Sequence, residues 1–410
     1  MMKRALVWLG ALFATAASAA NAPIVLSSFG VNLNGGSDLY AGLVLDAAGN
    51  LYGTAESGGA HGSGVVFRLS PQAGGAWSET VLYSFLGGVE DGKTPHASLI
   101  WDGQSHLYGT TISGGIGLQS CSGGCGVVFQ LTQTTGGHFT ETAIYRFTGG
   151  ADGGVPFAGL TLDGAGNLYG TTTGGGTAGL GVVFKLSYSP ADGWTESVLH
   201  SFTGNGDGAS PFSAPVFDAH GNLFGVTYSG GTYNLGTVYR LSPQAGGPWT
   251  EHVLYSFRGG LDGSNPSASL VTDQAGNVYG TTVLGGEANV GTAFELVRNG
   301  GWTKTLMHSF LGLEAQDGAN PNGMIFDARG NLWGTTVAGG LFNPGTIFEL
   351  SPQGGGVWKE TVAYSFTGGT DGAYPSAGLT MDSFGNLYGT TLWGGPAGTT
   401  VGGVAFEFVP

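Results

Sequence analysis

Positive charge is scarce in this chain. Lys and Arg together number 12 of 410 residues, against 27 Asp and Glu. A surface so poor in cations offers no basic face to neutralise phosphates, which excludes nucleic acid and anionic lipid as partners. Cations, neutral glycans and basic proteins stay open. Charged residues of both signs amount to 10%, yet hydrophobic residues reach 41% and aromatics 11%. That apolar content is too high for a disordered chain. Cysteine is nearly missing: Cys121 and Cys125, in "CSGGC", are the only two. A C-x-x-x-C pair without further Cys or a nearby His is a poor zinc site. In an exported chain it is expected to close a local disulfide loop. Beyond the first twenty residues no apolar run is long enough to span a membrane. Nor does any stretch sustain a helical period.

Glycine is what abounds, with 82 residues and no Gly-x-y period. Together with many aromatics and few charges, it points to a turn-rich all-β protein. The start, "MMKRALVWLGALFATAASAA", reads as a secretory signal peptide over residues 1–19. Lys3 and Arg4 form its basic end, Ala5 to Ala14 its apolar stretch, and Ala17-Ser18-Ala19 its cleavage signal. Its removal leaves 10 Lys and Arg against the same 27 acids, a net charge near −17.

The remaining 20–410 reads as one domain of repeats. One motif recurs as "GNLYGTA" (49–55), "SHLYGTT" (105–111), "GNLYGTT" (166–172), "GNLFGVT" (221–227), "GNVYGTT" (276–282), "GNLWGTT" (330–336) and "GNLYGTT" (385–391), at spacings of 54 to 61 residues. Each unit carries four short runs rich in β-branched and aromatic residues. In the first they are "AGLVLD" (41–46), "NLYGTA" (50–55), "GVVFRLS" (64–70) and "WSETVLYSF" (77–85). Seven units of four strands predict a seven-bladed β-propeller. The last unit stops after its third strand, at "GGVAFEFVP" (402–410), while a spare fourth strand, "IVLSSF" (24–29), opens the chain. The N-terminal strand is therefore expected to complete the last blade and close the ring, leaving no free sheet edge. A closed ring of this kind is expected to be a monomer.

Three shared motifs are weighed as sites. The Asp of "D-x-x-G-N" (Asp46, Asp102, Asp163, Asp218, Asp273, Asp327, Asp382) joins strands 1 and 2, and turn chemistry accounts for every residue type in it. The W-x-E of the outermost strand (Trp77/Glu79, Phe139/Glu141, Trp194/Glu196, Trp249/Glu251, Trp358/Glu360) is spread round the rim and is read as packing. Trp302 is followed by Lys304 instead. The blade-to-blade crossings carry "D-G-x-x-P", giving Asp91, Asp152, Asp207, Asp262, Asp317 and Asp371. These six are candidates for ligand binding. No cofactor is required by the sequence, but convergence of these carboxylates could recruit Ca²⁺.

Loops between strands 2 and 3 vary most among the repeats, and variation on a shared scaffold marks specificity. Tyr228, Tyr233, Phe342 and Trp393 in these loops are candidate aromatic contacts for a glycan or a peptide. Glu56, His61 and Glu287 share that face. No histidine recurs through all the repeats, and there is no H-E-x-x-H, no G-x-S-x-G and no zinc ligand set in the sequence pattern, so no catalytic residues are named.

The run "GTVYRLSPQAGGPWTEHVLYSFRGGLDGSNPSASLVTDQAGNVYGTT" (236–282) resembles the exported bacterial repeat called GloVer, of the choice-of-anchor tandem repeat proteins. The resemblance covers nearly all of residues 24–408. It implies an exported β-repeat protein, often with a surface-anchoring segment after the repeats, and it carries over no catalytic residues. Here Pro410 follows the last strand directly, which favours free secretion or periplasmic residence. The expected function is that of an exported, non-catalytic binding or scaffold module, with a glycan or protein ligand on the loop face. The alternative is an extracellular propeller enzyme acting on carbohydrate or a lactone.

Overall fold

In the third repeat, Thr161–Leu162, Leu168–Thr172, Val182–Ser189 and Gly193–Ser201 pair in order as an antiparallel sheet. Six such sheets follow one another along the chain, and the seventh joins its ends. The computed structural model describes residues 22–30, 35–116, 121–244, 247–395 and 402–410. The expected signal peptide lies outside the described residues. The protein is a seven-bladed β-propeller. Blade 7 consists of Thr380–Met381, Leu387–Thr390, Val404–Phe408 and, outermost, Ile24–Ser28 from the other end of the chain. Ile24 faces Glu407 and Ser28 faces Val404 across that last pairing.

The shared motifs build the joints between blades. Each third strand carries one fully buried ring, and the Phe that ends the preceding blade's outer strand packs on it. Phe85 meets Phe129 at 5.1 Å between centroids, Phe147 meets Phe184 at 5.1 Å, and Phe366 meets Phe406 at 5.3 Å. Phe29, at the end of the N-terminal strand, meets Phe67 at 4.6 Å. The closing strand thus makes the same contact as every other outer strand. Full burial of a ring of this size contributes about 1.5–3 kcal/mol.

Gly170, inside a strand, is explained by the same ring. A Cβ there would lie 2.5 Å from Phe184 Cζ and 2.9 Å from Leu160 Cδ2. The first Thr of "GTT" reaches the next blade: Thr110 Oγ1 donates to Ala158 O at 2.8 Å, Thr335 to Ala377 O at 2.7 Å, and Thr390 to Ala41 O at 2.7 Å. The "AGLVLD" run pairs as a ladder only over Val44–Leu45, and its Ala41 O accepts from Thr390 of the neighbouring blade. The Asp turns close as the sequence predicts. Asp163 Oδ1 accepts from Ala165 N and Asn167 N, and Oδ2 from Asn167 Nδ2 and Tyr169 Oη, at 2.8–3.0 Å. Rim tryptophans pack across blade boundaries, as Trp249 does on Tyr169.

Crossings and 2–3 loops zip together on one face. Gly92–Lys93 pairs with Ser113–Gly114, and bridges join Ala209 to Ser229 and Ala373 to Trp393. Cys121 and Cys125 form a disulfide within the 2–3 loop of blade 2.

Candidate functional site

Immediately after each crossing the chain enters its inner strand. The residue before the entry holds a left-handed backbone in every repeat: Asp38, Thr94, Val155, Ser210, Asn265, Asn320 and Tyr374 have φ between 54° and 63°. The next residue is Pro in six repeats and Leu39 in the first. The one after that faces the axis, and here the repeats part company: Tyr40, His96, Phe157, Phe212, Ser267, Asn322 and Ser376. All seven line an axial cavity of about 490 Å³. Deeper in the wall stand small residues, among them Gly42, Ser98, Gly159, Ala214, Ser269 and Gly378. They let the inner strands approach closely, and Gly42 N donates to Ser98 Oγ at 2.9 Å.

The mouth of this cavity is two-sided. Over blades 1 to 4 it is a continuous aromatic arc. Tyr40 stacks on His96 at 4.8 Å, His96 meets Phe157 at 3.9 Å, and Phe157 meets Phe212 edge-on at 4.9 Å. Over blades 5 to 7 it is Ser267, Asn322 and Ser376. Asn322 spends its amide hydrogens on Thr335 Oγ1 at 2.9 Å and Pro375 O at 2.8 Å, so its remaining capacity is as an acceptor.

One carboxylate backs the arc. Glu56, which opens the 2–3 loop of blade 1, pairs through Oε1 with His96 Nδ1. The imidazole is thereby fixed in orientation, and Nε2 has no hydrogen-bond partner among the described residues. Burial, and then the Glu56 and Asp38 carboxylates, raise the Tyr40 phenol above its usual range. Tyr40 therefore stays a neutral hydroxyl.

Of the residues singled out from sequence, Tyr228 joins the arc by packing on Phe212 at 5.3 Å. Trp393 packs on Tyr374 at 5.1 Å and is 41% exposed. Tyr233 and Phe342 are exposed at 51% and 54%. The six crossing aspartates stand elsewhere, one at each of six blade boundaries, and none lines the cavity. Each carboxylate is engaged at the end of the preceding outer strand. Asp91 accepts from Tyr83 Oη at 2.9 Å and Leu86 N at 2.6 Å, and Asp371 from Tyr364 Oη at 2.9 Å and Thr367 N at 2.7 Å. Asp152, Asp207, Asp262 and Asp317 make the equivalent backbone contacts with Thr148, Thr203, Arg258 and Leu311.

The rim glutamates behave unexpectedly. Burial, then the nearby crossing aspartate, pushes Glu141, Glu196, Glu251 and Glu360 up to about 7. Their Oε1 atoms are buried without a hydrogen-bond partner among the described residues. In the sequence the glutamate and the aspartate stand in separate motifs. Their meeting across a blade boundary carries no local signal. The mouth does carry one, which is the residue after the entry Pro when the repeats are aligned.

The profile of the Gloeobacter/Verrucomicrobia repeat matches residues 8–212 and 187–406. The chain belongs to the Gloeobacter/Verrucomicrobia repeat family. No curated protein matches it. Among solved structures it is similar to PorZ, an essential bacterial surface component of the type-IX secretion system of Porphyromonas gingivalis. The match has 17% identity and a TM-score of 0.53, covering 90% of this chain and 47% of that one. It is also similar to a putative 6-phosphogluconolactonase from Bacteroides uniformis, at 15% identity and a TM-score of 0.53, covering 83% of this chain and 88% of that one. At these identities the likeness speaks for the fold alone. Among the described residues of this Gloeobacter/Verrucomicrobia repeat protein, no helix is long and apolar enough to cross a membrane.

Proposed function

We propose that this chain is an exported binding propeller whose ligand, a neutral glycan, sits in the channel mouth on the loop face. The observation that carries this reading is the division of one ring of equivalent positions into an aromatic arc and a polar arc. A sugar presents an apolar C–H face and polar hydroxyl edges, and such a mouth matches both. The cavity volume is in the range of small-molecule sites. Tyr40 would donate to a hydroxyl oxygen, and Asn322 Oδ1 and His96 Nε2 would accept from hydroxyls. Tyr228, Tyr233, Phe342 and Trp393 would extend the contact to a longer glycan or a protein.

The Glu56–His96 pair supports a second reading, in which His96 Nε2 acts as a general base on a carbohydrate or lactone. Hydrolysis of a glycosidic bond by paired carboxylates needs two of them facing that bond. Among the described residues the cavity lining holds neither Asp nor Glu, which weighs toward binding.

A glycan and metabolite screen on the mature protein tests the proposal. Phe157→Ala and Phe212→Ala should each lower affinity for any hit at least about fivefold, since stacking and burial of a ring contribute about 1–3 kcal/mol. A hit whose affinity both variants leave unchanged would place the ligand elsewhere.

A further inference from the structure

The rim holds a second variable position, and there one repeat places a cation. The outer strands of blades 5 and 6 present Lys304 and Glu360 at the same register, opposite Leu296 and Leu350. Each meets the aspartate of the crossing that precedes its blade. Lys304 Nζ donates to Asp262 O at 2.6 Å and lies 3.1 Å from Asp262 Oδ1, with its side chain only 4% exposed. The fold therefore accommodates a buried positive charge at this place. In blade 6 the side chain is a second acid instead, so Glu360 faces Asp317 and no lysine stands between them.

A histidine adds a third group at this boundary, as His200 does beside Asp207 at 3.3 Å. On the preceding outer strand, the residue that touches the crossing aspartate is Tyr83, Tyr145, Tyr255 or Tyr364 in four repeats. Here it is His308, whose Nε2 lies 2.9 Å from Asp317 Oδ2. The donor atoms of His308, Asp317 and Glu360 all lie within 4.8 Å of one another. Glu360 Oε1 is buried and has no hydrogen-bond partner among the described residues. The Asp317 carboxylate is held in place by Leu311 N at 2.8 Å and Gly318 N at 2.5 Å.

We infer that His308, Asp317 and Glu360 form a binding site for one first-row divalent cation of the Zn²⁺ class. One imidazole and two carboxylates with a water in the fourth position make an ordinary zinc ligand set. The nitrogen donor favours such a cation over Ca²⁺, which takes oxygen ligands only. The backbone N–H groups on Asp317 supply the outer contacts that orient a ligating carboxylate. The ion would do at this boundary what the Lys304 ammonium does at the one before it, joining the crossing to the outer strand of the next blade. This site lies at the rim, apart from the channel mouth, and does not depend on the glycan reading.

The chain's own repeats supply the variants. His308→Tyr copies Tyr255 and Tyr364, and Glu360→Lys copies Lys304. Untagged mature protein, stripped with EDTA, is titrated with ZnCl2 and separately with CaCl2 by calorimetry, and melted with and without each ion. Expected are Zn²⁺ binding tighter than Ca²⁺ and a Zn²⁺-dependent rise in Tm. Both variants should lose Zn²⁺ affinity by at least about tenfold, and Glu360→Lys should melt at the same temperature with or without Zn²⁺. Glu360→Gln gives the same reading should the lysine variant fail to fold. Absence of Zn²⁺ binding by the wild-type protein, a preference for Ca²⁺, or unchanged Zn²⁺ binding in the folded variants would overturn the assignment.

Discussion

Glu56 pairs with His96 across the boundary between blades 1 and 2, and so fixes the one imidazole in the aromatic arc of the channel mouth. Two parts of His96 can be separated. His96→Phe keeps the stacked surface between Tyr40 and Phe157 and removes both nitrogens. It should weaken a glycan hit about five- to tenfold, the worth of one hydrogen bond. His96→Ala should weaken it further, because the shelf is broken as well. Equal affinity of the wild type and His96→Phe, read by calorimetry, would remove the nitrogen from the account.

Closure rests on Phe29 filling the seventh interblade aromatic contact. It is 2% exposed and packs with Leu26, Leu43 and Phe67 in one cluster. Phe29→Ala should cost about 3–5 kcal/mol, the usual range for deleting a buried ring. Deleting residues 22–29 should destabilise the ring further, since Val404–Phe408 would then face solvent as an open edge. Denaturant melts of both variants decide this, and wild-type stability in the deletion would contradict ring closure.

Gly170 has a steric role. A methyl group at that position would stand 2.5 Å from Phe184 Cζ. Gly170→Ala should therefore destabilise by about 1–3 kcal/mol through overpacking. Gly166→Ala should also destabilise, through its positive φ of 83°, although no atom lies within 4 Å of its added Cβ. Pairing Gly170→Ala with Phe184→Leu should recover part of the loss only in the first case.

The pH dependence of stability has two opposed limbs. Glu141, Glu196 and Glu251 are pushed from the usual 4.5 up to about 7, by burial first and a crossing aspartate second. The folded protein then binds more protons than the unfolded chain between those values, so stability falls as pH rises from about 4.5 to 7. Burial also pushes upward on Asp46, Asp163, Asp218 and Asp327. Hydrogen bonds from the turn outweigh it and hold them below 3.8. Their contribution is present above 3.8 and is lost as pH falls through the folded values. Tm should therefore peak near pH 4–5 and decline toward pH 7. The triple variant Glu141→Gln, Glu196→Gln, Glu251→Gln should flatten the decline. A Tm that rises from pH 5 to 7 would contradict the assignment.

What the repeats share was legible, because turn and strand chemistry is written in consecutive residues. The Asp-Gly-Asn hairpins, the glycine within "LYGTT" and the spare strand 24–29 all fold as their local patterns predict. The mouth was harder to see. Its deciding residues, Tyr40, His96, Phe157 and Phe212, look like ordinary strand starters when each is read alone. They become a site only when seven inner strands converge on one axis. Glu360 and Asp317 belong to two separate sequence motifs, and nothing in either segment shows which blade boundary it will meet. The variable loop residues Tyr233 and Phe342 were the more visible signal, and they stand exposed at the tips.

The place where a ligand sits is the deciding fact. A crystal of the mature protein soaked with the best glycan hit measures this directly. The predicted result is sugar density over the channel mouth, with one ring face against Phe157 or Phe212 and hydroxyls within hydrogen-bond reach of His96 Nε2 and Asn322. Density confined to the rim or to the tips around Tyr233 and Phe342, with the mouth filled only by water, would contradict it.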